Sequence, residues 1–210
     1  MIGHDGRGAV MMRAAMIAVM FVLAGAGAAV ADTSNAQKIA AEIRVKNCQG
    51  CHGPLGDSTT PEIPRLNGQA ASYLFTRLHS LRYPIREAPR AIHDMGEIVP
   101  QLQSQVIAAL ANYYADQAPT KPLAMAGASS EGARLYKFGA GKDVPACAGC
   151  HGVDGEGRGN APRLAGQRAD YLELQLRAFG LSARIADPMN RHVWLMTPEQ
   201  MRAVATYLGG

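Results

Sequence analysis

A five-residue string, Cys-x-x-Cys-His, stands twice in this chain, at Cys48–His52 and at Cys147–His151. The sequence after each string repeats as well. Pro64-Arg65-Leu66-Asn67-Gly68-Gln69 answers to Pro162-Arg163-Leu164-Ala165-Gly166-Gln167. Tyr73-Leu74 then matches Tyr171-Leu172, Leu78 matches Leu176, and Val106–Tyr113 matches Gln200–Tyr207. Two copies of roughly ninety residues are a tandem duplication, too long and too few for a solenoid. The most faithful repetition falls on residues of little use in a core, so the reason for it is chemical.

The pattern between the motifs predicts an all-α chain of two small helical units. Gln37–Asn47 and Glu131–Phe138 read as helices leading into the cysteines. Ala70–Leu81 and Ala169–Phe179 carry apolar residues at three- and four-residue spacing, as do Ser104–Asp116 and Thr197–Leu208. The stretches from Cys51 to Gln69 and from Cys150 to Gln167 hold Gly, Pro, Asp and Asn and read as loops. The expected division is a leader at 1–31, one unit at 32–117, a Pro-containing linker at 118–130 and a second unit at 131–210. Units this small and loop-rich bury little core alone, so another group is expected at the centre of each.

The leader has Arg13, an uncharged run from Ala14 to Ala31 and an Ala29-Val30-Ala31 ending, the pattern of a secretory signal cleaved before Asp32. An uncleaved anchor is the alternative, and translation starting at Met11 or Met12 would remove the odd first residues. The formal net charge of +4 is too mild to imply nucleic acid. Arg77, Arg82, Arg86 and Arg90 face only Glu87 in their stretch, read as a solvated surface that also supplies a propionate partner, or as a docking patch for an acidic protein.

On a helix, residues at i, i+3 and i+4 share a face, so two thiols and an imidazole point the same way. Two thiols so placed can add to the two vinyl groups of a haem while the histidine reaches iron. Cys-x-x-Cys-His is the attachment pattern of c-type haem. A zinc site would want four tetrahedral ligands, and a thioredoxin-like pair a βαβ setting; neither fits. Two haem c groups are expected, attached through Cys48, Cys51, Cys147 and Cys150 and bound by His52 and His151. The second axial ligand lies downstream, with His79, His93, Met95, Met189, His192 and Met196 as candidates. With Tyr113 aligned on Tyr207, only Met95 and Met189 coincide. Met196 then reads as a core stand-in for leucine. Pro64 and Pro162 can offer their carbonyls to the other imidazole nitrogen, and Arg65, Arg163, Tyr73 and Tyr171 are candidates for the haem propionates. Trp194, without a counterpart, is placed beside its haem.

Taken together, the two strings CQGCHG…PRLNGQ…YL…Met95…ALANYY and CAGCHG…PRLAGQ…YL…Met189…AVATYL resemble the halves of the di-haem cytochrome c4 family. The resemblance runs from Gln37 to Leu208. It implies two cytochrome c domains, each with a His/Met haem, in a periplasmic electron carrier that is not an enzyme and can lie peripherally on the membrane. Its implied partners are a redox protein donor and acceptor, among them a membrane-bound terminal oxidase or a quinol-oxidising complex. The competing readings are a haem subunit of a larger dehydrogenase or reductase, and a di-haem enzyme oxidising a small sulfur compound or reducing peroxide. Enzymatic haem needs an open position or an unusual ligand; the matching methionines and the lack of a fifth cysteine argue against it. Gln69 to Met95 is longer than Gln167 to Met189, which makes unequal potentials an expectation.

Overall fold

The computed structural model describes residues 33–82, 95–122 and 130–209. The expected leader at 1–31 therefore lies outside the described residues, as do Arg86, Glu87, Arg90 and His93. No helix among the described residues is long and apolar enough to cross a membrane. These residues are helical, and their only bridge pairs are Ala140 with Val144 and Arg158 with Ala161.

In the first half, α1 spans 33–43 and runs through a π-turn at Arg44–Cys48 into α2, Gln49–His52. The sequence predicts a lead helix at 37–47 running into the motif. The helix starts earlier, at 33, and one helical rod carries both, with an extra residue wound in where Arg44 turns toward Tyr113. The Arg44 guanidinium donates to the Tyr113 hydroxyl at 2.9 Å and lies 4.1 Å from the ring centroid. Single π-turns of this kind inside α-helices are frequent at functional sites. Two helices follow, α3 at Ala71–Ser80 and α4 at Ser104–Ala115, which pack on each other.

The second half contains α5 (Glu131–Phe138), α6 (Ala148–His151), α7 (Ala169–Gly180), α8 (Met189–Val193) and α9 (Pro198–Leu208). Ser130 caps α5 by accepting from the Ala133 N–H. Thr197 and Gln200 form a reciprocal capping box that fixes the start of α9, with Pro198 in the first turn. The last helix packs on both α5 and α7. Gly132 permits the α5 crossing: a Cβ there would lie 2.1 Å from the Ala203 carbonyl oxygen. Unlike α1, α5 stops short of the cysteines, at Gly139 (φ 72°), and a loop leads to the motif.

Each half has its own apolar core. Tyr136, Leu135, Val204, Tyr207 and Leu208 centre the second; Val99, Ile107, Val106 and Leu110 centre the first, with Leu74, Ala111 and Tyr114 beside them. Met196 is buried in the second core, where its thioether packs like a leucine. Burial of one such side chain contributes roughly 1.5–3 kcal/mol. The halves meet along a polar seam built from the repeated Pro-Arg-Leu-x-Gly-Gln segments. At it, each segment's glycine lies against the connecting segment: a Cβ on Gly68 would meet Pro119 at 2.5 Å, and one on Gly166 the Thr120 oxygen at 2.1 Å. Both glycines have positive φ, 66° and 74°, which no other residue adopts readily.

Candidate haem centres

The cysteine motifs present the same set of groups in both halves. Cys51 and Cys150 are exposed, Cys48 and Cys147 are half-buried, and all four thiols are free. Burial pushes the Cys48 thiol up from its ordinary value and the Cys147 thiol up to about 11. Both histidines are buried at 6 % exposure, and burial holds both imidazoles below their usual range, partly offset by a carbonyl partner. That partner is Pro64 for His52 and Pro162 for His151, each at 2.9 Å from Nδ1. A carbonyl only accepts, so Nδ1 carries the proton and Nε2 keeps its lone pair free for a metal. The tautomer and ring orientation of both histidines are therefore set by the backbone.

The loops that make this possible are identical in plan. The Leu66 N–H donates to the Gly56 carbonyl at 2.7 Å, and the Leu164 N–H to the Gly155 carbonyl at 2.8 Å. Gly56 and Gly155 have φ of 84° and 69°, so the chain doubles back and delivers the proline carbonyl to the ring. The Gly68 and Gly166 N–H groups then tie each loop to the end of the last helix of its half, at Tyr114 and Leu208.

Methionines stand near these motifs. Met95 and Cys48 pack against one apolar cluster, and Met189 and Cys147 against the other. Met95 opens a helical turn at 95–98 and Met189 opens α8. His79 instead packs its ring 4.5 Å from that of Phe75, and His192 is half-buried on α8. Among the described residues no three His, Cys, Asp or Glu side chains converge as a bare-ion site. Two thiols and one neutral imidazole per half are the donor set of covalently held haem, and the residues fit that group.

Arg65 turns into the seam, donating to the Ser58 and Gly166 carbonyls at 3.2 and 2.7 Å. Arg163 Nε is buried without a partner among the described groups; a propionate is the acceptor it suits. Tyr73 accepts from Arg184 at 3.0 Å, and Arg184 also donates to Gln175 at 2.6 Å and stacks on Phe179. Burial raises the phenol of Tyr171, which shares this cluster with Arg77. Arg77 is half-buried beside Arg184, and Arg82 bonds the Leu102 carbonyl. Neither of these two is the solvated surface the sequence suggests. Trp194 is 67 % exposed at the end of α8.

Sequence reasoning missed the cross-half contacts of Arg184, Gln69 and Gln167. The Gln167 amide accepts from the Arg65 N–H at 2.7 Å and donates to the Arg65 carbonyl at 2.8 Å. Gln69 does the same to Arg163, at 2.8 and 3.0 Å. The repeated glutamine in the motif was the signal.

The paired covalent-haem motifs on two small helical bundles define a c-type cytochrome, and the comparisons agree. The family profile for cytochrome c matches residues 129–210. The chain is 36 % identical to cytochrome c-552 of Acidithiobacillus ferridurans over 92 % of this chain and 85 % of that one. It is 35 % identical to the thiosulfate dehydrogenase electron acceptor of Thiomonas intermedia, over 80 % of each. The solved cytochrome c4 of Acidithiobacillus ferrooxidans superposes with a TM-score of 0.69 at 37 % identity, covering 77 % of this chain and 96 % of that one. The chain belongs to the cytochrome c4 family. It is an electron-transfer protein of haem c, and a carrier rather than an enzyme.

Proposed function

We propose that this chain carries two haem c groups. One is attached at Cys48 and Cys51 with His52 and Met95 as axial ligands, the other at Cys147 and Cys150 with His151 and Met189. The observation that carries this reading is the duplicated histidine–proline contact, 2.9 Å in each half, which leaves one lone pair per half for iron. Haem supplies a reversible one-electron change at iron, and thioether ligation raises its potential. The protein's own residues hold the imidazoles neutral and oriented, and keep the ligand-bearing segments on separate rigid cores, so little rearranges when charge changes.

The leader at 1–31 supports export to the periplasm, where the chain, as units 32–117 and 131–210, moves electrons between redox proteins. The relative from Thiomonas intermedia is named as an electron acceptor for thiosulfate dehydrogenase. A dehydrogenase of a small sulfur compound is accordingly the donor we favour, and a membrane-bound oxidase the acceptor. Haem content and the far-red charge-transfer band of ferric methionine-bound haem test the site assignment. Two haems and two equivalents of the band per chain are expected, falling to one of each in Cys48→Ala/Cys51→Ala. One equivalent in the unaltered chain would overturn it. Reduction by a thiosulfate dehydrogenase, followed at the haem absorption bands, tests the donor.

A further inference from the structure

Each motif histidine is connected to the opposite half through a single peptide group. The Pro64 carbonyl accepts from His52 Nδ1 at 2.9 Å, and the N–H of that same peptide, Arg65's, donates to Gln167 Oε1 at 2.7 Å. The Pro162 carbonyl accepts from His151 Nδ1 at 2.9 Å, and the Arg163 N–H of that peptide donates to Gln69 Oε1 at 2.8 Å. Both glutamines are buried, at 6 % and 8 % exposure. Their Nε2 groups close a second bond onto the next carbonyl along, at 3.0 Å for Gln69 and 2.8 Å for Gln167.

We propose that the two glutamines set the haem potentials crosswise, Gln69 acting on the centre held by His151 and Gln167 on the centre held by His52. The inference rests on the two-haem reading above. A peptide whose N–H is bonded shifts electron density onto its oxygen, and bonds in a chain strengthen one another by perhaps 10–30 % each. A more negative proline oxygen draws the Nδ1 proton harder and makes the imidazole a stronger donor. A stronger donor favours ferric iron and lowers the potential. The geometry runs from Gln69 to Pro162 and from Gln167 to Pro64. Neither glutamine makes the equivalent contact to its own half, so the effect crosses the seam. Gln69 and Gln167 are positioning residues that work through a backbone amide.

The holoprotein variants Gln69→Leu and Gln69→Glu test the assignment, with both potentials read by spectroelectrochemical titration. Met95→His, by moving the first-half centre, identifies which potential belongs to which half. Leucine removes the acceptor, so the second-half potential rises; an effect of about threefold in its reduction equilibrium constant is about 28 mV at 59 mV per tenfold. Glutamate keeps the shape and the acceptor and adds charge, so the same potential falls. The first-half centre moves less in both variants, and Gln167 variants give the mirror result. Shifts of one sign for both substitutions would mean a loosened seam and overturn the proposal, as would a larger change in the half bearing the mutation. A haem count of one per chain would strike the two-haem reading itself, and is measured before any potential.

Discussion

His52 and His151 are protonated at one nitrogen because of where a proline carbonyl sits, and that carbonyl belongs to the backbone. Substituting the proline side chain therefore leaves the acceptor in place, whereas the downstream ligand can be changed outright. Met95→His should lower the potential of the first centre by about 0.1 V or more, within the roughly 0.8 V that axial ligands span. The far-red band should fall by one equivalent while the second centre keeps its own; Met189→His should give the reverse. An unchanged band in either variant would place the ligand elsewhere. The proposal of these two methionines rests on the alignment of the copies on Tyr113 and Tyr207, in which only they coincide. Arg184 was not legible. No residue among those described in the first half does the same work, and its partners Tyr73 and Gln175 are polar residues that a sequence leaves at the surface.

The helices were legible wherever an apolar period ran unbroken. Glu131–Phe138 is found as expected, and the capping residues Ser130 and Thr197 stand where their helices begin. The π-turn at Arg44–Cys48 escaped notice because a one-residue insertion leaves no mark in a segment this polar. The helices α5 and α9 cross closely at Gly132, where a Cβ would lie 2.1 Å from the Ala203 carbonyl oxygen. Gly132→Ala should cost about 1–3 kcal/mol through overpacking, seen as a lower thermal midpoint, and a neutral result would mean the helices separate easily. A charged clasp lies nearby: Glu173 on α7 holds Arg177 at 2.7 Å and Arg202 of α9 at 3.4 Å. Its carboxyl is held below the usual range chiefly by the Arg177 hydrogen bond. The contribution is thus full above the ordinary glutamate value of about 4.3 and lost as pH falls below it. Being partly exposed, the clasp should contribute at most about 1 kcal/mol. Glu173→Gln should remove that much at pH 7 and little at pH 3, by denaturant titration at both.

At the scale of the whole molecule the two halves have separate apolar cores and share a seam of amide and guanidinium contacts. The partners in that seam are 94 and 102 residues apart, a separation no local pattern reports. The repeated Pro-Arg-Leu-x-Gly-Gln string announced that both copies needed the same segment, but not that they needed it for each other. A helical unit comprising 131–210, produced with its haem, should associate weakly with itself, since Gln167 could take an Arg163 backbone as readily as it takes that of Arg65. Sedimentation should show a reversible dimer, reduced in Gln167→Leu; a strict monomer would mean that the covalent connection between the halves, rather than the glutamines, holds the seam.

The seam has a history written into it. Gln69 meets Arg163 just as Gln167 meets Arg65, the relation of two identical subunits about a two-fold axis. Such a surface can form before its sides are joined by a chain, so a self-pairing ancestor with one motif is the natural starting point. Once fused, each side is free to differ, and among the described residues the sides do differ: Arg184 bridges from the second half alone, and the two lead helices have different shapes. A symmetric couple became an ordered one, with a first centre and a second.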